Sequence, residues 1–194
     1  MTKFGPRSLA ALIAAALLSA CSPVEMVVGA GAATGVAASQ ERGLAGTARD
    51  TALSAQIQEL WFRTNHEMFG KLSCTVTEQR ALLTGKVQDP EMRVEAVKLA
   101  WQVPGVAEVI NEIEVVNTSS LADSARDYWI TAQLRGQLTF DKDVRSINYS
   151  IDTVNGTVFL MGIARSQAEL DRVTNHARNL AYVKRVVSYV RIAA

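Results

Sequence analysis

The sequence predicts an α+β fold made of two tandem copies of one α-β-β-α-β module, and three observations carry that prediction. From Asp50 onward the chain repeats itself at an offset of 77 residues, with no gap needed. In the second copy, apolar residues fall at helical spacing in two segments, with β-branched and alternating stretches between and after them. Asn155-Gly156, the strongest short hairpin signal, joins the first two strands of that copy.

The repeat is thin in identity but consistent in register. Asp50 matches Asp127, Gln56 matches Gln133, Ser73 matches Ser150 and Gly85 matches Gly162. Farther on, Ala100 matches Ala177 and Val109 matches Val186. Apolar character is kept where identity is not, as at Leu53 and Ile130, Ile57 and Leu134, and Leu83 and Leu160.

In the second copy, Ile130, Leu134 and Leu138 give an amphipathic helix over roughly 125 to 138. A polar-apolar stretch over 144–154 leads to the hairpin, and Thr157 to Ala164 forms the returning strand. Ser166-Gln167-Ala168-Glu169 reads as a capping box, opening a helix with Leu170, Val173, Ala177 and Leu180 on one face. The β-branched run Val183 to Ile192 is the last strand. The first copy follows the same order, with Asp89-Pro90 as N-cap and first helical residue. Pro104-Gly105 breaks the chain before a strand over 106–116. Each module is expected to form a small mixed sheet covered on one face by helices. Modules of about 65 residues are only modestly stable alone, so packing of one on the other is expected.

The N-terminal segment reads differently. Lys3 and Arg7 precede an apolar run from Leu9 to Leu18 that is too short to span a bilayer, and small residues follow it. Residues 1–20 are therefore expected to be a signal peptide. Leu18-Ser19-Ala20-Cys21 resembles the lipobox of bacterial lipoproteins. The resemblance implies cleavage before Cys21, with a diacylglycerol on its sulfur and an acyl chain on its amine. Ser22, where an Asp would resemble an inner-membrane retention signal, implies the outer membrane. The stretch 27–39 is small, uncharged and uncapped, so residues 21–48 are expected to be the lipidated cysteine and a flexible tether. With Cys21 modified, Cys74 has no cysteine left to pair with and reads as a small buried hydrophobe.

Composition sets the remaining bounds. The chain is 48% hydrophobic and 20% charged, with 20 basic and 19 acidic residues. Removing Lys3 and Arg7 leaves 18 basic residues against 19 acidic, so the basic excess of a nucleic-acid binder is absent.

The paired modules resemble BON domains, through "VFLMG" (158–162) and "VKRVVSYV" (183–190) in the second copy. "LLTGKV" (82–87) and "VPGVAEVINEIEV" (103–115) are their counterparts in the first. Preceded by a lipobox, the arrangement resembles the dual BON-domain lipoproteins of the Gram-negative outer membrane, with domains over 49–117 and 124–193. That resemblance implies a non-enzymatic, periplasm-facing, lipid-anchored protein that binds anionic phospholipid and supports envelope integrity, often near the division site. It also implies that the second domain makes the lipid contact through its first helix. The matching residues are Trp129, Arg135, Tyr128 and Leu138.

Trp129 is the strongest of these, because the resemblance implies an aromatic at its position; the first copy lacks one, with Ala52 at the equivalent site. With the core face set by Ile130, Leu134 and Leu138, Trp129 falls about 100° away on the flank, where an aromatic suits a membrane interface. Its other reading is packing between the modules. Trp61, equivalent to Leu138, is on the core-facing phase and reads as structural.

Reactive constellations are missing from the sequence. His66-Glu67 lacks the second histidine of a zinc motif, His176 is not its repeat equivalent, and no glycine-rich phosphate loop occurs. No cofactor is expected beyond the acyl groups on Cys21. A second reading is an envelope adaptor that offers Glu91, Glu95, Glu108, Glu112 and Glu114 to a basic protein partner. The oligomeric state is left open by the sequence.

Overall fold

A computed structural model describes residues 43–117 and 120–193, with the side chain of Leu44 outside that description. The expected signal segment, Cys21 and the tether up to residue 42 lie outside the described residues.

The first module runs α1 (Gly43–Thr64), α2 (His66–Lys71), β1 (Leu72–Thr77), β2 (Arg80–Val87), α3 (Pro90–Trp101) and β3 (Glu108–Val115). The second runs α4 (Leu121–Phe140), a 3-10 turn (Ser146–Asn148), β4 (Tyr149–Val154) and β5 (Thr157–Ala164). It ends with α5 (Gln167–Arg178), β6 (Arg185–Ser188) and β7 (Arg191–Ile192). In each sheet the first two strands pair antiparallel and the last pairs parallel to the second, so β2 and β5 are central. This is the small mixed sheet that the order α-β-β-α-β predicts.

Four elements differ from expectation. Helix α1 starts at Gly43, six residues inside the expected tether. The stretch 43–48 holds no proline, and extending a helix that is already nucleated is cheap enough to absorb Gly46. Helix α2 was not anticipated; the Asn65 side chain caps it by accepting from the Glu67 N–H at 2.8 Å. In the second module the stretch from residue 144 is strand only from Tyr149 onward. The last strand is broken at Tyr189, where Ser188 Oγ accepts the Val190 N–H at 3.3 Å. Tyr189 itself turns toward the first module, its carbonyl accepting from Arg80 at 3.1 Å and its hydroxyl donating to Glu112.

Each module has its own core between sheet and helices. In the first, Leu53, Ile57, Trp61 and Leu83 are buried together, and the Trp61 indole donates to the Ala96 carbonyl at 3.1 Å. In the second, Ile130, Leu134, Leu138, Leu160, Val173 and Ala177 do the same. Side chains alternate across a strand, so β2 and β5 each send a second set to the opposite face. There Leu82 meets Val154, Phe159 and Met161 in a third cluster, flanked by Ile110 and Val187. The sheets thus pack on each other, which explains why every residue of β5 is buried. Leu82 is the repeat equivalent of Phe159, Ile110 of Val187, and Glu112 of Tyr189, so the modules meet through matching surfaces, as in an approximate two-fold.

The capping box at α5 has one half of its expected form. Ser166 Oγ accepts the Glu169 N–H at 3.2 Å, but the Glu169 carboxylate reaches past Ser166 to the Arg165 N–H at 3.1 Å and the Arg145 N–H at 2.8 Å. The Arg165 side chain adds a bond at 2.9 Å. Burial pushes this carboxyl up, yet the hydrogen bonds from Arg145 and Arg165 outweigh it and hold its pKa below the usual glutamate value. A depressed carboxyl contributes stability above the unfolded pKa, about 4.3, and loses it as pH falls through the folded value. Glu169→Gln is therefore expected to lower stability by about 1–3 kcal/mol at pH 7. That difference should shrink as pH is lowered below the unfolded value when urea midpoints are compared.

Candidate functional site

Helix α4 is capped by Ser120, whose Oγ accepts the Ala122 N–H at 3.2 Å, and it runs two turns beyond the core residues that anchor it. The face opposite Ile130, Leu134 and Leu138 carries Leu121, Ala125, Tyr128, Trp129, Ala132, Gly136 and Phe140. No charged residue falls on this stripe, and its large members stand in solvent: Leu121 is 91% exposed, Tyr128 77%, Phe140 87% and Trp129 40%. A solvated helix face usually carries charge; an uncharged one with aromatics calls for a partner surface.

Trp129 is held from its own module. Its ring meets Tyr182 edge-on, with centroids 5.9 Å apart and planes at 77°. The Arg126 guanidinium lies 5.2 Å from the centroid of the same tyrosine and also pairs with Asp123 at 2.9 Å. Tyr182 sits in the turn between α5 and β6 with φ of 67°, a region that a non-glycine residue enters at a cost. The repeat equivalent is Gly105, with φ of 100°. The second module therefore places a tyrosine where the first uses glycine, beside a tryptophan where the first has Ala52.

The four residues expected at a lipid site do not form one cluster. Trp129 and Tyr128 lie on the outward stripe. Arg135 is six residues beyond Trp129, about 120° round the helix. It lines a groove facing the first module, with Ser73 and Thr75 across from it. Leu138, at 1% exposure, belongs to the second core, since it continues the four-residue spacing of Ile130 and Leu134, and it shows only a sliver of surface at the floor of that groove. Sequence reasoning missed Tyr182, Arg126, Leu121 and Phe140. The signal for Tyr182 was present, as a bulky residue where the repeat has a glycine.

The remaining reactive groups are engaged elsewhere. His176 Nε2 lies 2.7 Å from Asp141 and its Nδ1 3.2 Å from Gln137, joining α5 to α4. His66 stacks on Phe62 with centroids 4.5 Å apart. Burial pushes the Cys74 thiol up to about 12, which keeps it protonated at neutral pH, as for a small buried hydrophobe. Among the described residues, no group of three or more His, Cys, Asp or Glu is placed to hold a metal, and no helix is long and apolar enough to cross a membrane. Of the five acids offered to a basic partner, Glu108 pairs with Arg80 at 2.7 Å and Glu112 accepts from Tyr189. Glu114 faces Asn155 at 3.5 Å, which leaves Glu91 and Glu95 on α3.

Comparison with known sequences decides the family. The model of the BON domain matches residues 49–117 and again residues 126–194. This chain is a member of the BON-domain family. Relatives match this chain along much of its length. A protein of Anaplasma centrale, described by its position in the gshII 5′ region, is 41% identical over 74% of this chain and 94% of its own length. The outer membrane lipoprotein DolP of Haemophilus influenzae is 28% identical over 96% of both chains. The osmotically-inducible protein Y of Escherichia coli is 28% identical over 71% of this chain and 69% of its own.

Proposed function

We propose that this BON protein is a non-enzymatic lipoprotein of the outer membrane, facing the periplasm, that rests the outward stripe of α4 on anionic phospholipid and supports envelope integrity. The observation that carries the reading is the uncharged aromatic face of α4, with Trp129 and Tyr182 at positions where the first module has Ala52 and Gly105. Aromatic rings with a polar edge suit the headgroup boundary, and Arg126 at the margin of the stripe supplies a cation for a phosphate. The name of the Haemophilus relative, an outer membrane lipoprotein similar along nearly the whole chain, agrees with the localisation.

Acyl and diacylglycerol groups on Cys21 would hold the chain at the bilayer, each buried methylene contributing about 0.8 kcal/mol. Tethering raises the local lipid concentration, so the contact through Trp129 needs only modest affinity of its own.

The test is vesicle flotation with a chain that begins after Cys21. Binding to vesicles containing phosphatidylglycerol or cardiolipin is expected to fall about tenfold in Trp129→Glu, a loss in keeping with one aromatic side chain leaving an apolar environment. Tyr182→Gly, which restores the residue of the first module, should fall between that variant and the parent. Equal binding to vesicles with and without anionic lipid would remove headgroup selectivity. Unchanged binding in Trp129→Glu would remove the site.

A further inference from the structure

Along the other flank of α4 an open groove separates the two modules, in two stretches of about 490 and 480 Å³ that share Ser73 and Asp152. We propose that the stretch beside Arg135 binds a neutral oligosaccharide.

Its walls are rich in groups that both donate and accept. Ser73 and Thr75 from β1 and Ser150 and Asp152 from β4 line it, together with Ser146. Ser73 and Ser150 are repeat equivalents, so one groove receives the same hydroxyl from each module. Among the described residues, the side-chain oxygens of Ser73, Thr75, Ser146 and Ser150 have no protein partner, and Arg135 has no acidic partner. Asp152 takes the Thr84 hydroxyl and, at 3.0 Å, the Thr153 N–H, which leaves lone pairs of its carboxylate for a ligand. The exposed Ile147 adds an apolar surface at the rim.

Charge selects the ligand class. This stretch holds one guanidinium and one carboxylate, so it favours neither an anion nor a cation. In the adjoining stretch Lys86 is paired with Asp127 at 3.2 Å and Lys71 with Glu67. A ligand with many hydroxyls satisfies such a set, because each hydroxyl gives one hydrogen bond and accepts others. Ring C–H faces would lie against Ile147.

The fold does not require this lining. The repeat equivalents of Arg135, Thr139 and Ser146 are Gln58, Phe62 and Phe69. In the first module the two phenylalanines pack edge to face with centroids 5.4 Å apart, and Gln58 bonds Ser54 at 3.0 Å. The same backbone positions thus accept aromatics in one module and carry a guanidinium and hydroxyls in the other.

The experiment titrates the full chain, held in neutral detergent, with a β-1,4-linked tetramer of N-acetylglucosamine and follows amide and Arg135 Nε–H chemical shifts. Saturable shifts at Ser73, Ser146, Ser150 and Arg135 are expected. Arg135→Gln, which installs the residue of the first module on an exposed site, should weaken them about tenfold, the scale of one charge-assisted hydrogen bond. No saturable shift at these residues would overturn the proposal. So would inorganic phosphate producing the same shifts or displacing the saccharide, since that would mark an anion site. Vesicle flotation of Arg135→Gln run in parallel keeps the outcome separate from the membrane contact of Trp129.

Discussion

Replacing Gly162 with alanine is expected to unfold the second module or bring it close to unfolding, with a loss of at least about 3 kcal/mol. Gly162 lies in β5 opposite Tyr149, with φ of 149°. A Cβ there would stand 2.0 Å from the Asn148 carbonyl oxygen and 3.0 Å from its carbon. Both are backbone atoms at the entry to β4, so relief requires the β4–β5 pairing itself to move. Strain at the dihedral and overpacking each cost roughly 1–3 kcal/mol, against a total stability of about 5–15 kcal/mol for an ordinary domain. Gly85 repeats the arrangement, with φ of 129° and the Lys71 carbonyl oxygen 2.4 Å from a would-be Cβ. The control is Gly136→Ala in α4, where a Cβ meets nothing within 4 Å. There the same substitution should raise stability by about 0.5–1 kcal/mol, through helix propensity alone. Urea midpoints decide: a Gly162→Ala midpoint equal to the parent's would refute the close approach.

The glycine pair shows what the sequence makes legible. Gly85 and Gly162 stand out because the repeat preserves both, and the helices stand out because Ile130, Leu134 and Leu138 keep a helical period. The contact between sheets was less visible. "VFLMG" lacks alternation, and such a run signals burial on both faces, but nothing local says that the second cover is Leu82 from 77 residues upstream. Arg135 illustrates a different limit. On the helix wheel it sits on the polar side and reads as a phosphate contact, whereas the groove exists only because β1 of the other module lies across from it. Tyr182 was hidden by its backbone, since composition does not reveal a tyrosine at positive φ. Aligning it with Gly105 does.

Asp127→Ala is expected to cost about 3–5 kcal/mol, because one buried carboxylate holds three donors. Its Oδ1 accepts the Gly156 N–H at 2.8 Å, while its Oδ2 accepts the Asn155 N–H at 2.8 Å and the Lys86 ammonium at 3.2 Å. The first two bonds clasp the β4–β5 turn, where Asn155 has φ of 51° and Gly156 of 77°. Asp50 clasps the β1–β2 turn in the same way through Glu78 and Gln79, which accounts for the conservation of this aspartate between the two copies. The third bond crosses between modules, from a lysine whose repeat equivalent is Ile163. Alanine at 127 strands that largely buried lysine as well as two amides. Lys86→Met in the same chain should therefore recover about 1–2 kcal/mol of the loss. Strict additivity of the two substitutions would show that the ion pair contributes nothing. Asp127 also immediately precedes Tyr128 and Trp129 on α4. The pair that fastens this turn of the helix to the hairpin and to the first module thereby fixes the direction in which the aromatic stripe points, and vesicle binding by the double variant is expected to stay below the parent's even where stability is regained.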